Sequence, residues 1–299
     1  MRSLAAVATF LALAAPATAA PPTSIMDAPI RAVNAGQGNI GYRSVGEGRP
    51  LVLVMGLSGT MDAWPPSFVD SLASRRRVIT YDNEGIRRST LGPGTLTIGR
   101  MADDVASLIR ALRLRRADVL GWSMGGMIAQ SLARQHPKRV RRLVLCATAP
   151  GDGRATPPGT DVLSQLASGT SDVFQLLFPP GQEAAAQAYA RAVTSYPNPS
   201  PAAPPQVTQA QFGASVAWLS GRDPSGRPLS RLRLPVLVGG GALDRLLPVA
   251  NQRYLARALP NARLRVYRDA AHGFLLQHQR SFLRQIDRFL RATAPRPPR

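Results

Sequence analysis

The chain has 299 residues, 44% hydrophobic and 18% charged, which is material for a sizeable core and excludes a disordered chain. Its single cysteine, Cys146, excludes an internal disulfide framework and a multi-cysteine metal centre, and three histidines leave little room for a histidine-rich one. Lys and Arg number 37 against 17 Asp and Glu, giving +20, nearly all of it arginine, and no apolar run approaches the roughly 20 residues of a membrane-spanning helix.

Residues 1–20 are expected to be a secretory signal peptide. Arg2 precedes the short apolar run Leu4 to Ala15, and small residues follow at Ala17-Thr18-Ala19-Ala20 before Pro21. Cleavage is expected after Ala19 or Ala20, which would place the protein in the periplasm or medium. No cysteine stands there to carry a lipid. Next, Ile30–Val33 and Asn39–Val45 read as an antiparallel pair at a sheet edge, followed by the turn-rich Gly46 to Pro50.

From residue 51 short apolar runs alternate with amphipathic ones. Leu51–Met55, Val78–Tyr81, Val119–Trp122, Leu143–Ala147, Val236–Gly239 and Leu264–Tyr267 read as buried strands. Ile98–Arg113, Met124–Gln135, Val249–Ala258 and Phe282–Leu290 read as helices. This predicts an α/β fold with a mostly parallel sheet flanked by helices. The alternation breaks over 151–232, which holds helical segments at Val162–Ala167, Val173–Phe178 and Glu183–Thr194 and a proline-rich stretch from Pro197 to Pro205. That stretch is expected to be a lid insertion dividing the core into 21–150 and 233–299.

Basic clusters at Arg75 to Arg77, Arg113 to Arg116 and Lys138 to Arg142 each precede a strand. Cations there suit helix ends, and no aromatics interleave as a base-stacking platform needs. They read as solvated surface, leaving weak attraction to anionic cell surfaces open. Neither nucleic-acid binding nor stable membrane insertion is expected, and the sequence is silent on oligomeric state.

Gly121-Trp122-Ser123-Met124-Gly125 follows an apolar strand and opens a helix, the setting in which G-x-S-x-G forms a sharp turn that exposes a nucleophilic serine. A hydroxyl needs a base, and the base an orienting acid. His136 lies about 18 Å along the helix from Ser123, too far to serve. His278 falls at the last helix. His272, in a loop just past the last strand, is the expected base. Asp244, just past the preceding strand, is the expected acid, with Asp152 and Asp269 as less suited alternatives. The order Ser123, Asp244, His272 fits this hydrolase type. The backbone N–H groups of Met124 and Leu57, the latter in Met55-Gly56-Leu57-Ser58-Gly59, are the expected oxyanion donors. Trp122, Phe178 and Phe274 are candidate substrate-binding residues.

Together these residues resemble the α/β-hydrolase fold, in particular its lidded, single-domain serine esterases, from about Ile30 to Leu290. Tyr81 to Ser89 resembles that group's D-x-R-G-x-G-x-S turn, departing at Glu84, where Arg is usual, and Arg87, where Gly is usual. Met55 stands where His usually precedes the oxyanion glycine. The elbow also resembles that of secreted polyester hydrolases, but those typically lack a lid and carry a disulfide. The resemblance implies a serine hydrolase cleaving carboxylic esters of small apolar substrates through an acyl-enzyme, with no cofactor and no metal. Lactone, amide or C–C cleavage and perhydrolase/haloperoxidase-like chemistry use the same triad, and a non-catalytic binding protein on this fold is the alternative of another class.

Overall fold

A computed structural model describes residues 22–35, 38–168 and 173–292. The expected signal peptide, 1–20, lies outside the described residues. Eight strands form one sheet: β1 (Arg31–Asn34), β2 (Asn39–Val45), β3 (Pro50–Val54), β4 (Arg77–Tyr81), β5 (Ala117–Trp122), β6 (Val140–Cys146), β7 (Val236–Gly241) and β8 (Ala262–Tyr267). Their order is β1-β2-β4-β3-β5-β6-β7-β8. β2 runs antiparallel to β1 and β4, while β3 to β8 are parallel. All six residues of β5 and of β7 are buried, which explains their unbroken apolar runs: both faces of a parallel sheet are covered.

The core helices are α1 (Pro66–Ala73), α2 (Ile98–Ala111) and α3 (Met124–Gln135). The insertion between β6 and β7 carries α4 (Thr160–Ser168), α5 (Val173–Leu177), α6 (Glu183–Thr194) and α7 (Pro205–Leu219). After β7 come α8 (Ala250–Ala258), α9 (Phe274–Gln277) and α10 (Gln279–Arg291). α2 starts sharply because the Thr97 hydroxyl accepts a hydrogen bond from the Arg100 N–H, 3.0 Å. One face of the sheet packs Val105 and Ile109 of α2, Ile128 and Leu132 of α3, and Trp218 of α7. The other packs Phe68 of α1 and Phe282, Ile286 and Phe289 of α10, a stripe at helical spacing.

Three helices escape the sequence pattern, among them the four-residue α9. α1 is short and opens on Pro66. α7 follows the proline-rich stretch directly and buries one face, Val207, Gln211, Ala214, Ser215 and Trp218, on which two of the five residues are polar. A buried stripe that mixes polar and apolar side chains carries no amphipathic signature.

The strand order sets the site. From β3 the chain crosses to β4 on one side and to β5 on the other, so the loops leaving β3 and β5 diverge and open a crevice at the carboxyl ends of the strands.

Candidate active site

Ser123 sits between β5 and α3 with φ 59° and ψ −124°, a strained backbone that its glycine neighbours make possible. A Cβ on Gly125 would lie 2.0 Å from the Val54 carbonyl oxygen, and one on Gly121 would lie 2.2 Å from the Gly125 carbonyl oxygen. Only hydrogen fits at either place, so β5, α3 and the end of β3 close tightly around the serine. Ser123 itself is half-buried.

The loop after β3 passes beside it. A Cβ on Gly56 would meet the Ser123 Cβ at 3.0 Å and its Oγ at 3.6 Å. Three side chains pin this loop. Asn83 Nδ2 donates to the Met55 carbonyl at 3.1 Å, the Met61 N–H donates to Asp82 Oδ1 at 2.7 Å, and the Ser58 N–H donates to Gln211 Oε1 at 2.8 Å. Ser58 is held in the left-handed region at φ 56°. The Leu57 and Met124 N–H groups donate to no protein acceptor among the described residues, and that of Met124 stands at the start of α3, where anions are favoured.

Asp244 follows β7 in a tight turn. Its Oδ1 accepts the Leu246 and Leu247 N–H groups at 2.9 and 2.8 Å. Its Oδ2 lies 2.8 Å from Nδ1 of His272, and both side chains are almost fully buried. A carboxylate only accepts, so Nδ1 carries the imidazole proton and Nε2 keeps its lone pair. The His272 loop is anchored on both flanks. Gly273 N–H donates to the Leu177 carbonyl at 2.8 Å, and Trp122 Nε1 donates to the His272 carbonyl at 3.1 Å. The Trp122 and His272 rings lie 5.9 Å apart. The residue before the serine therefore holds the histidine's loop.

The alternative residues are engaged elsewhere. His136 pairs with Asp103 at 2.6 Å, and His278 with Asp269 at 3.0 Å. Asp152 accepts from the Tyr254 hydroxyl at 2.6 Å. Cys146 is buried, and burial pushes its thiol well above the ordinary value, away from a nucleophile's. Among the described residues no cluster of three His, Cys, Asp or Glu could hold a metal ion.

The three candidate substrate-binding residues part ways. Phe178 faces Tyr189 at 6.0 Å and lines a cavity of about 900 Å³ between α5, α6 and the Asp244 loop, with Leu176, Ala186, Leu243 and Ala271. Trp122 is buried against Trp64, 6.0 Å away, and supports His272. Phe274 is not brought to the crevice. Its ring packs on Phe282 at 4.9 Å and Tyr267 at 5.5 Å, beneath Gly239. Gln211 and Asn83, which fix the loop after β3, were missed by the sequence reading. Nothing local marks Gln211, since the helix bearing it has no periodic signal.

A family model described as alpha/beta hydrolase fold matches residues 49–279. The protein assigned as the carbamate hydrolase RutD in Caulobacter sp. (strain K31) is 30% identical over 262 residues, covering 82% of this chain and 91% of that protein. The pimeloyl-[acyl-carrier protein] methyl ester esterase of Aliivibrio salmonicida (strain LFI1238) is 28% identical over 265 residues, covering 83% and 95%. The crystal structure of esterase RhEst1 from Rhodococcus sp. ECU1013 superposes with a TM-score of 0.73 at 25% identity, covering 89% of this chain and 99% of that one.

Proposed function

The chain belongs to the alpha/beta hydrolase fold family and is an enzyme of the hydrolase class, and from that premise we propose that it cleaves carboxylic esters of small apolar substrates through an acyl-enzyme. His272 Nε2 takes the Ser123 proton as Oγ attacks the ester carbonyl. Asp244 holds the imidazole in the reactive tautomer and stabilises the imidazolium that forms. The Leu57 and Met124 N–H groups receive the oxyanion. His272 then returns its proton to the leaving alcohol. In the second half it activates water, which releases the acid and restores the serine.

The observation that carries this reading is the buried Asp244–His272 pair, tied through Trp122 to the nucleophile's own strand. The apolar walls of the cavity at Phe178 favour uncharged acyl or alcohol groups. Segment 151–232 is read as the lid over the crevice, since Leu177 and Gln211 reach the histidine and oxyanion-side loops from it. The carbamate hydrolase assignment of one relative makes carbamates the second substrate class to assay. Export on residues 1–20 remains part of the proposal, and N-terminal sequencing of secreted protein checks it.

The decisive experiment is labelling with a fluorophosphonate probe beside turnover of p-nitrophenyl esters of graded acyl length. Wild type is expected to label and turn over, and Ser123→Ala to do neither. Wild-type activity in Ser123→Ala would refute the assignment.

A further inference from the structure

The mechanism uses the carboxyl ends of the strands and leaves the opposite end of the sheet unexplained. Because β3 to β8 are parallel, the segments entering them all arrive at that opposite end. These segments (46–50, 74–77, 112–117, 136–142, 230–235 and 259–263) contain fourteen basic residues and one acidic residue, Glu47. Clusters that look scattered along the chain are gathered by the topology onto one surface.

Nearby carboxylates do not neutralise it. Asp118, buried just inside β5, is taken by Arg141, and Asp287 by Arg76 and Arg291. The cations that remain are exposed, among them Arg49, Arg75, Arg115, Arg116, Arg233 and Arg263. Their fields overlap. Burial lowers the affinity of Arg142 for its proton, and the neighbouring charges of Arg141, Arg49 and Arg263 lower it further, which places guanidinium groups from the entrances of β6, β3 and β8 within range of one another.

We propose that this arginine-rich end of the sheet docks on the anionic headgroups of a phospholipid surface, holding the crevice at the strands' carboxyl ends toward the aqueous phase. The charge is complementary, and guanidinium forks suit phosphate oxygens. The surface is broad, assembled from six loops rather than from one helix or ribbon that could enter a nucleic-acid groove, and these loops carry no aromatic residue for stacking on bases. They also expose no large apolar side chain, so docking is electrostatic and salt-reversible, without insertion. No described helix is long and apolar enough to cross a membrane. The inference does not depend on the esterase reading.

The test is co-sedimentation of the full chain with vesicles of equal parts phosphatidylglycerol and phosphatidylcholine, or of phosphatidylcholine alone, in low and high salt. Wild type is expected to bind the anionic vesicles in low salt and to release in high salt. The triple variant Arg115→Glu, Arg116→Glu, Arg233→Glu should weaken binding at least tenfold. An equal charge change on exposed arginines of the insertion, Arg154→Glu, Arg191→Glu, Arg222→Glu, should weaken it less than threefold. Thermal melts confirm that both variants fold. The proposal falls if wild type ignores anionic vesicles, or if the two triple variants lose binding equally. It falls also if reversal at the strand entrances abolishes duplex DNA binding while vesicle binding persists, which would make the face a nucleic-acid surface.

Discussion

Replacing Asp244 by Asn tests the site most sharply, because it changes charge and hydrogen-bond polarity while keeping shape. The Asn side-chain carbonyl can still accept the Leu246 and Leu247 N–H groups, so the turn after β7 survives. At the other oxygen, 2.8 Å from His272 Nδ1, the amide N–H₂ now donates. Nδ1 must accept, the proton moves to Nε2, and the lone pair proposed to take the Ser123 proton is lost. The second loss is the imidazolium's counter-charge. Two unit charges about 4 Å apart attract by about 4 kcal/mol at an effective dielectric of 20, close to a thousandfold in rate. With the wrong tautomer added, kcat on a p-nitrophenyl ester should fall by about 10³–10⁴, with KM nearly unchanged. A melt should show little change. Loss of less than tenfold would refute the role given to Asp244, the more so if Asp152→Asn were the variant that abolished turnover.

Three further outcomes follow from the same contacts. Gly125→Ala drives a Cβ into the Val54 carbonyl oxygen at 2.0 Å, so α3 and β3 must separate, and Tm should drop by roughly 10 °C or more; a drop under about 3 °C contradicts the tight elbow. Gln211→Met leaves the Ser58 N–H without its acceptor but also removes Gln211 Nε2, a buried donor with no partner, so stability should barely move while kcat falls about tenfold at constant KM, and an unchanged kcat would detach α7 from the oxyanion-side loop. Asp104 is raised to about 7, chiefly by burial and then by the charge of Glu84. Its raised folded value means the fold retains a proton that the unfolded chain releases above about pH 4; the stability this carries is full below that value and lost as pH climbs through 7. Urea melts from pH 4 to 8 should therefore show Asp104→Asn gaining on wild type across that window, and a difference flat in pH would count against the shift.

The sheet was legible because strands covered on both faces are largely apolar, so the central strands β3 to β7 stand out as apolar runs; β8, expected to be buried at Leu264–Tyr267, is instead an edge strand, half-exposed and carrying Arg263 and Arg265. Ser123 was legible because its motif is local: the two glycines that answer to backbone collisions, Gly121 with the Gly125 carbonyl and Gly125 with the Val54 carbonyl, both stand within two residues of the serine. Asp244 and His272 were singled out by chain order together with their position past a strand, and the structure pairs them at 2.8 Å. What stayed hidden was lateral. Gln211 reaches Ser58 across 153 positions, and Trp122 reaches the His272 carbonyl across 150. No spacing rule encodes such pairs. Phe274 shows the converse. An aromatic two residues past the histidine invites a substrate role, but α9 begins there and turns the ring under Gly239 into the core.

The two departures in the 82–89 turn acquire a reason only when distant segments are placed beside it. Glu84 takes Arg100 from α2 and the Gly92 N–H, so a salt bridge to a core helix stands where the resembling motif has a cation. Arg87 occupies a glycine position and accepts left-handed backbone at φ 49°, a strain of order 1–3 kcal/mol for a residue with a Cβ. Its guanidinium uses that geometry to reach Ser200 Oγ at 2.8 Å, the Asn198 carbonyl at 3.3 Å and Asp62 Oδ2 at 3.4 Å. Buried Asp62 also accepts the Ser200 N–H and hydroxyl, and Arg43 neutralises its other oxygen. A glycine at position 87 would relax the turn but leave Asp62 with one cation fewer and the proline-rich crossing with one anchor fewer. The strained arginine and the insertion's proline-rich stretch are thus one structural solution, written 111 to 113 residues apart.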